Sequence, residues 1–429
     1  MNATPNSPRN TLPGADDITR VTLPNGITVL TRPNFSSLSV VINGYLPVGS
    51  LFDLDEELGL AHFVASSLMQ GTANHNFQQL YDSLESVGAS LGFGAGVHST
   101  GFNGHALAED LPVLLMLLAE VLQQPVFPPE QVERLRAHLL ASLAIRAQDT
   151  QEMSSLTFDQ IVYAGHPYQR PDDGYTETIQ KIQVDDLVSF HRKHYGPEGM
   201  VVVVVGAVDP SQVVEQVTKV LGAWHNPDQP DQPTLPPLKP LTSTVRKHVF
   251  IPGKIQVDLS IGSSGPTRRS PDFVSASLGN NIFGQFGMMG RIGDVVREQS
   301  GLAYYASSSL NAGIGPGSWE VSAGVNPANL QKAIQLIQAE ISRFASEPVT
   351  AEELADSQAN YIGRLPISLE SNNGVSNALL NLERFELGLD YYRNYAGLVH
   401  SVTPESILET AHRYLDPERL AIASAGPEG

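Results

Sequence analysis

Residues 185–207, DDLVSFHRKHYGPEGMVVVVVGA, align without a gap against residues 405–427, ESILETAHRYLDPERLAIASAGP. Both stretches carry apolar residues at helical spacing, then a Pro-Glu turn (Pro197-Glu198 and Pro417-Glu418), then an apolar run closing on Gly206 or Gly426. That order reads as an amphipathic helix, a turn and a buried strand. The offset, 405 − 185 = 220, also carries Ala119-Glu120 onto Ala339-Glu340, within LPVLLMLLAEVLQQPVFPPEQVERLRAHLL and NLQKAIQLIQAEISRFASEPVTAEELADSQANYI. Two separated blocks sharing one offset indicate a duplicated domain of about 200 residues.

Between the copies lies NPDQPDQPTLPPLKPLT, residues 226–242, with proline at 227, 230, 233, 236, 237 and 240. Such a segment cannot enter a sheet ladder and takes an extended, semi-rigid path. The chain therefore divides into residues 1–225, a linker over 226–242, and residues 243–429. Each half has strands before and after a set of helices. RVTLPNGITVLTR, helices from about Gly59 to Arg146, and MVVVVVGAV follow one another in the first. The expectation is an α+β fold: two tandem homologous domains, each a mostly antiparallel sheet with helices packed on it.

The 429 residues hold 26 Lys and Arg against 45 Asp and Glu, a formal balance of −19. Nucleic acid would call for a basic face, so it is not an expected partner. An acidic field favours basic or extended peptides. There is no cysteine, which removes disulfides, thiolate metal sites and Cys nucleophiles, and leaves any metal to His, Asp and Glu. The start, MNATPNSPRNTLPGADDITR, lacks the basic and apolar regions of a secretory signal. The longest apolar run, residues 200–208, is about half a membrane span. A cytoplasmic protein without a membrane partner is expected.

Residues 59–72, GLAHFVASSLMQGT, and the helices after them resemble the pitrilysin-like zinc metallopeptidases, the inverzincins. The resemblance runs from about Arg20 to Pro427 and includes Gly88-Ala89, HPYQRP (166–171), SFHRKHYGPEGMVVVVVG (189–206) and REQSGLAYYASSS (297–309). It extends to the non-zinc-binding subunits related to mitochondrial processing peptidase and bacterial two-subunit processing proteases. Zinc-bearing members carry H-x-x-E-H, with two imidazoles on one helix face and a glutamate that activates water. Here the same positions read His62, Phe63, Val64, Ala65, Ser66. Ala65 offers no proton acceptor, Ser66 is a poor zinc donor, and the third ligand position, aligned through RAHLLASLAIRAQDT (136–150), falls on Leu143. One imidazole does not make a catalytic zinc site, so no metal is expected on this chain and His62 reads as a packed helix histidine. His191 and His194 share a helix face, but no carboxylate accompanies them, and basic groups at a helix C-terminus complement its dipole.

The family's substrate-pairing edge strand corresponds to LGFGAGVHSTGFNGH (91–105), whose five glycines allow either a mobile lip over a peptide or an eroded strand. FGQFGMMGRIG (283–293) lacks a P-loop or dinucleotide spacing. It leads into GRIGDVVREQSGLAYYASSSL (290–310), read as a helix ending near Gln299, a turn at Gly301 and a strand. In the family, an Arg and a Tyr at R-x-x-x-x-x-x-Y spacing come from the domain opposite the zinc and reach the scissile peptide; the matching residues are Arg297 and Tyr304. A preoriented phenol can stabilise the oxyanion formed at a peptide carbonyl, and Arg presents a fixed fork of donors. Tyr304 and Tyr305 point to opposite strand faces, so only one can serve.

The resemblance thus implies a chain that is catalytically inactive alone: the non-zinc subunit of a heteromeric metalloendopeptidase. Arg297 and Tyr304 would contact an unfolded or extended peptide, and a homologous partner with intact H-x-x-E-H would hold the zinc. Self-pairing into a homodimer is the other assembly open to the isolated chain. The alternative function is a non-catalytic scaffold or peptide-binding protein, like the core subunits of the respiratory cytochrome complex.

Overall fold

The computed structural model describes residues 12–287 and 289–428, and the fold is α+β. The described strands are β1 (Thr19–Thr22), β2 (Thr28–Pro33), β3 (Ser39–Leu46), β4 (Ser90–Ala95), β5 (Thr100–Leu107), β6 (Val201–Gly206), β7 (Val245–Phe250), β8 (Val257–Gly265), β9 (Ala303–Asn311), β10 (Gly317–Val325) and β11 (Ala421–Gly426). They form two sheets, ordered β1-β2-β6-β3-β5-β4 and β7-β11-β8-β10-β9. The pairings β2·β6 and β7·β11 are parallel and the others antiparallel. With β1 set aside, the two orders are the same, strand for strand, so the repeat seen in the sequence is also a repeat of topology.

The chain separates into two compact units, and each takes segments from both sequence halves. Among the described residues, the first comprises those within 1–140, 172–233 and 364–394, and the second those within 141–171, 234–363 and 395–429. Chain order and packing therefore divide the molecule differently. The helix Asn372–Arg384, from the second half, sets Val375, Leu379 and Leu382 against Leu30, Val201, Val203 and Val205 of the first sheet. Reciprocally, the helix Thr150–Val162, from the first half, sets Phe158, Ile161 and Val162 against Ala421 and Ala423 of the second. Each helix is amphipathic, and the central strands β6 and β11 are buried throughout, so they need an apolar cover on both faces. Burying one such Val, Leu or Phe stabilises by roughly 1.5–3 kcal/mol.

Residues 226–242 form no strand or helix, as their prolines dictate. In the first unit, Asn226 donates from Nδ2 to the Tyr195 carbonyl (2.8 Å) and Gln232 from Nε2 to the His98 carbonyl (2.6 Å). In the second, Leu238 and Leu241 pack beside Tyr168 and Val245.

Candidate functional site

His62, Phe63, Val64, Ala65 and Ser66 lie on the helix Leu60–Ser67 of the first unit. Gly59 enters this helix at φ +94°, a left-handed turn that a side chain would strain. No residue within the turn caps the helix. Instead the buried carboxylate of Asp53 accepts from the Gly59 N–H (2.9 Å) and the Ala61 N–H (3.0 Å), filling the N-cap role from outside the helix. His62 is half-buried and acts on Asp172, whose carboxyl is pushed up by burial and by Asp173, with His62 opposing. Ala65 is 1% exposed and Leu143, on the helix Pro129–Arg146, is 5% exposed. Two of the four positions singled out by the resemblance are thus buried hydrocarbon. Zinc does not fit this donor set, which offers one imidazole and one hydroxyl. Among the described residues, no group of three or more His, Asp or Glu side chains is placed to hold a metal ion.

The 91–105 stretch is a hairpin of two strands, where the sequence suggested a single edge strand. β4 and β5 pair in unbroken register from Ser90↔His105 to Ala95↔Thr100, and β4 is the sheet edge. A Cβ at Gly94 would meet nothing within 4 Å, so packing does not demand this glycine.

The second unit carries Arg297 and Tyr304 on two irregular elements. Residues Asp294–Gln299 form a π-helix, Gly301 turns the chain at φ +61°, and β9 follows as an edge strand packed beside the π-helix. Pairing of β9 with β10 runs regularly to Gly324↔Tyr305 and resumes at Val325↔Ala303, so Tyr304 is the extra residue of a β-bulge. Its side chain is 86% exposed. Tyr305, by contrast, donates its hydroxyl to Asp258 Oδ1 at 2.7 Å, and burial followed by that carboxylate pushes its phenol up. Of the two adjacent tyrosines, only Tyr304 is free to meet a ligand.

Arg297 is partly exposed and lies 3.4 Å from Glu298. The segment before it is pinned by a two-point pair, Arg291 Nε and Nη2 to the Glu353 carboxylate, both at 2.7 Å. Burial alone would raise Glu353, but the bonds from Arg291 and from the Thr350 backbone outweigh it and hold the carboxyl at about 2. Both π-helical turns and bulges recur at functional sites because they re-aim a side chain at the expense of regular bonding. Neither irregularity was legible in the sequence.

The histidine pair of the helix Val184–His194 is packing. His191 donates from Nε2 to the Leu122 carbonyl at 2.9 Å and lies against Phe127 and Tyr195, while the His194 ring sits 4.5 Å from Phe52 and 4.6 Å from Phe190. Burial pushes both imidazoles down to about 4, with Lys193 adding to the effect at His194.

Comparison with known proteins agrees with this architecture. The model of the insulinase family, peptidase family M16, matches residues 28–171, and that of the peptidase M16 inactive domain matches residues 181–361. An uncharacterized zinc protease of Mycobacterium leprae is 27% identical over 422 residues, covering 96% of this chain and 92% of the relative. A probable mitochondrial-processing peptidase subunit beta of Arabidopsis thaliana is 29% identical over 202 residues, 47% of this chain and 38% of the relative. The crystal structure of a peptidase M16 inactive domain from Pseudomonas fluorescens shares the fold with a TM-score of 0.89 at 24% identity, covering 96% of this chain and 98% of the other. A protease from Helicobacter pylori gives 0.88 at 20% identity, over 97% and 100%.

Proposed function

The chain belongs to peptidase family M16, and from that premise we propose that it is the non-zinc subunit of a heteromeric metalloendopeptidase, inactive alone, with zinc held by a homologous partner that has intact H-x-x-E-H. We take residues 1–225 and 243–429 as the units of the duplication, with the degenerate motif in one and the peptide-contacting pair in the other. The observation that carries the reading is an asymmetry. The positions for metal and base are filled by Ala65 and Leu143 in the core, whereas Tyr304 is held out of its sheet by a bulge, 86% exposed, beside the π-helix that bears Arg297. A phenol with no other function would be expected to pack, as Tyr305 does.

In this role Arg297 holds carbonyl oxygens of an extended substrate, and the Tyr304 hydroxyl donates to the scissile carbonyl as negative charge develops there. That the Arabidopsis relative is named as one subunit of a processing peptidase supports a heteromeric assembly. Cytoplasmic placement is part of the proposal; no helix among the described residues is long and apolar enough to cross a membrane. The test is to mix the chain with its H-x-x-E-H homologue and assay cleavage of an unfolded peptide. Activity is expected only from the mixture, with zinc in the partner alone. Full activity of the partner by itself would refute the proposal and favour the scaffold reading.

A further inference from the structure

The four sheet edges differ in charge. β4 and β9 carry no Lys, Arg, Asp or Glu, and on β1 the one cation, Arg20, is bound to Glu383 at 2.6 Å. β7 reads Val-Arg-Lys-His-Val-Phe, and Arg246, Lys247 and His248 are three consecutive exposed residues. Among the described residues none of them is in an ion pair. Arg246 bonds only the neutral Gln338 (3.3 Å), and His248 Nδ1 lies 2.8 Å from Ser424 Oγ. Arg246 and His248 share a sheet face with Ile422 and Ser424 and, with Gln331 and Ile334 of the helix Leu330–Ser346, line a groove of about 450 Å³; Lys247 borders it from the strand's other face, and Glu428 stands at the groove as a single carboxylate.

The backbone of β7 is phased to receive a further strand. The Val245 N–H donates to the Leu420 carbonyl at 2.9 Å and the Ile251 N–H to the Gly426 carbonyl at 2.8 Å. In a parallel ladder this phase turns the odd-numbered residues toward β11 and leaves the N–H and C=O of Arg246, His248 and Phe250 facing away from the sheet. Lys and Arg on an edge discourage pairing between like strands. The same charges select for a strand of opposite sign. Although the whole chain is at −19, charges farther off than about 8 Å are screened at physiological salt, so the local basic edge governs a docked strand.

We propose that β7 and its groove are a docking site for an extended acidic polypeptide segment, which adds to the second sheet beside β7 and sets carboxylates against Arg246 and His248 on the groove face, with Lys247 on the opposite face adding to the positive charge of the edge. This mode combines main-chain hydrogen bonds for affinity with side-chain pairing for selectivity. It does not depend on the heteromeric reading.

The test uses the full chain and a fluorescent octapeptide of alternating Glu and Val. Binding is expected to weaken with added salt and to fall on the order of tenfold or more in Arg246→Glu/Lys247→Glu. The milder Arg246→Gln/Lys247→Gln pair should lose part of the affinity with an unchanged thermal midpoint, which separates docking from misfolding. Hydrogen exchange should show new protection at the amides of Arg246, His248 and Phe250, and N-methylation of alternate peptide residues should abolish it. Equal binding of a Gln-Val octapeptide would overturn the proposal. So would undiminished binding of the N-methylated peptide together with displacement by inorganic phosphate, since that marks a simple anion site.

Discussion

Two equivalent sheet edges, β4 in one unit and β9 in the other, differ in the regularity of their pairing. β4 keeps an unbroken ladder, and the helix Leu60–Ser67 packed beside it carries a buried methyl at Ala65 and a hydroxyl at Ser66. β9 is interrupted, and the interruption delivers a phenol to solvent. Regular pairing is what a duplicated fold does by default, so the place that departs from it is the place where a requirement other than folding acts.

The comparison can be broken most forcefully in the cores. Phe158→Ala, in the helix that covers the second sheet, should cost about 3–5 kcal/mol, and Leu379→Ala, in its counterpart on the first, about 2–5 kcal/mol, read by denaturant unfolding. If the reciprocal exchange holds, hydrogen exchange should report the first loss in strands of the second sheet and the second loss in strands of the first. Ala65→Glu should also destabilise, by roughly 2–5 kcal/mol, because the carboxylate would enter a site that is 1% exposed. A variant as stable as wild type would mean that the first unit has kept room for a catalytic carboxylate.

The units should also respond to acid with opposite signs. His191 and His194 sit at about 4 when folded and near 6.5 when unfolded, so the unfolded state takes up protons first and the first unit loses stability as pH falls from about 6.5 toward 4. For His191 this amounts to about 3 kcal/mol, and to less for the half-buried His194. In the second unit, Asp159 is pushed up to about 7 by burial and by Glu320, against 3.8 unfolded. Its contribution is present at low pH and lost as pH rises from about 3.8 through 7. Hydrogen exchange, corrected for intrinsic rate, should therefore show protection of Val184–His194 declining between pH 7 and 5, while that of Thr150–Val162 rises. Asp159→Asn should weaken the second trend, leaving the part that buried Glu320 contributes, and should not change the first. A smaller effect is expected at the entry to the Leu60–Ser67 helix, where Asp53→Ala should cost about 1–2 kcal/mol through the loss of its two backbone bonds.

What the sequence made legible is what is local or repeated. The 220-residue offset predicts two sheets of like order, the prolines of 226–242 predict an extended connection, and the run MVVVVVGAV predicts the strand β6, buried along its length. The helix, turn and strand over 290–310 also fall where spacing places them. The exchange of Thr150–Val162 and Asn372–Arg384 was hidden because each helix has an apolar face that fits either sheet, and nothing local records which sheet it covers. The bulge at Tyr304 was equally hidden: Tyr-Tyr in a strand gives two faces, and only the register with Gly324 and Val325 shows which tyrosine is extra. Asp53 escaped notice because its bonds reach six and eight residues forward, outside the spacing of a capping motif.

The account rests on Tyr304 acting on the substrate of an active site held by another chain. The most direct measurement is the steady-state kinetics of the mixed complex with Tyr304→Phe, a change that removes one hydroxyl from an exposed ring and leaves folding untouched. Loss of an oxyanion donor predicts a fall of about 10²–10³ in kcat with little change in KM. Wild-type kcat in the Phe variant, in a complex whose activity still requires this chain, would contradict the account.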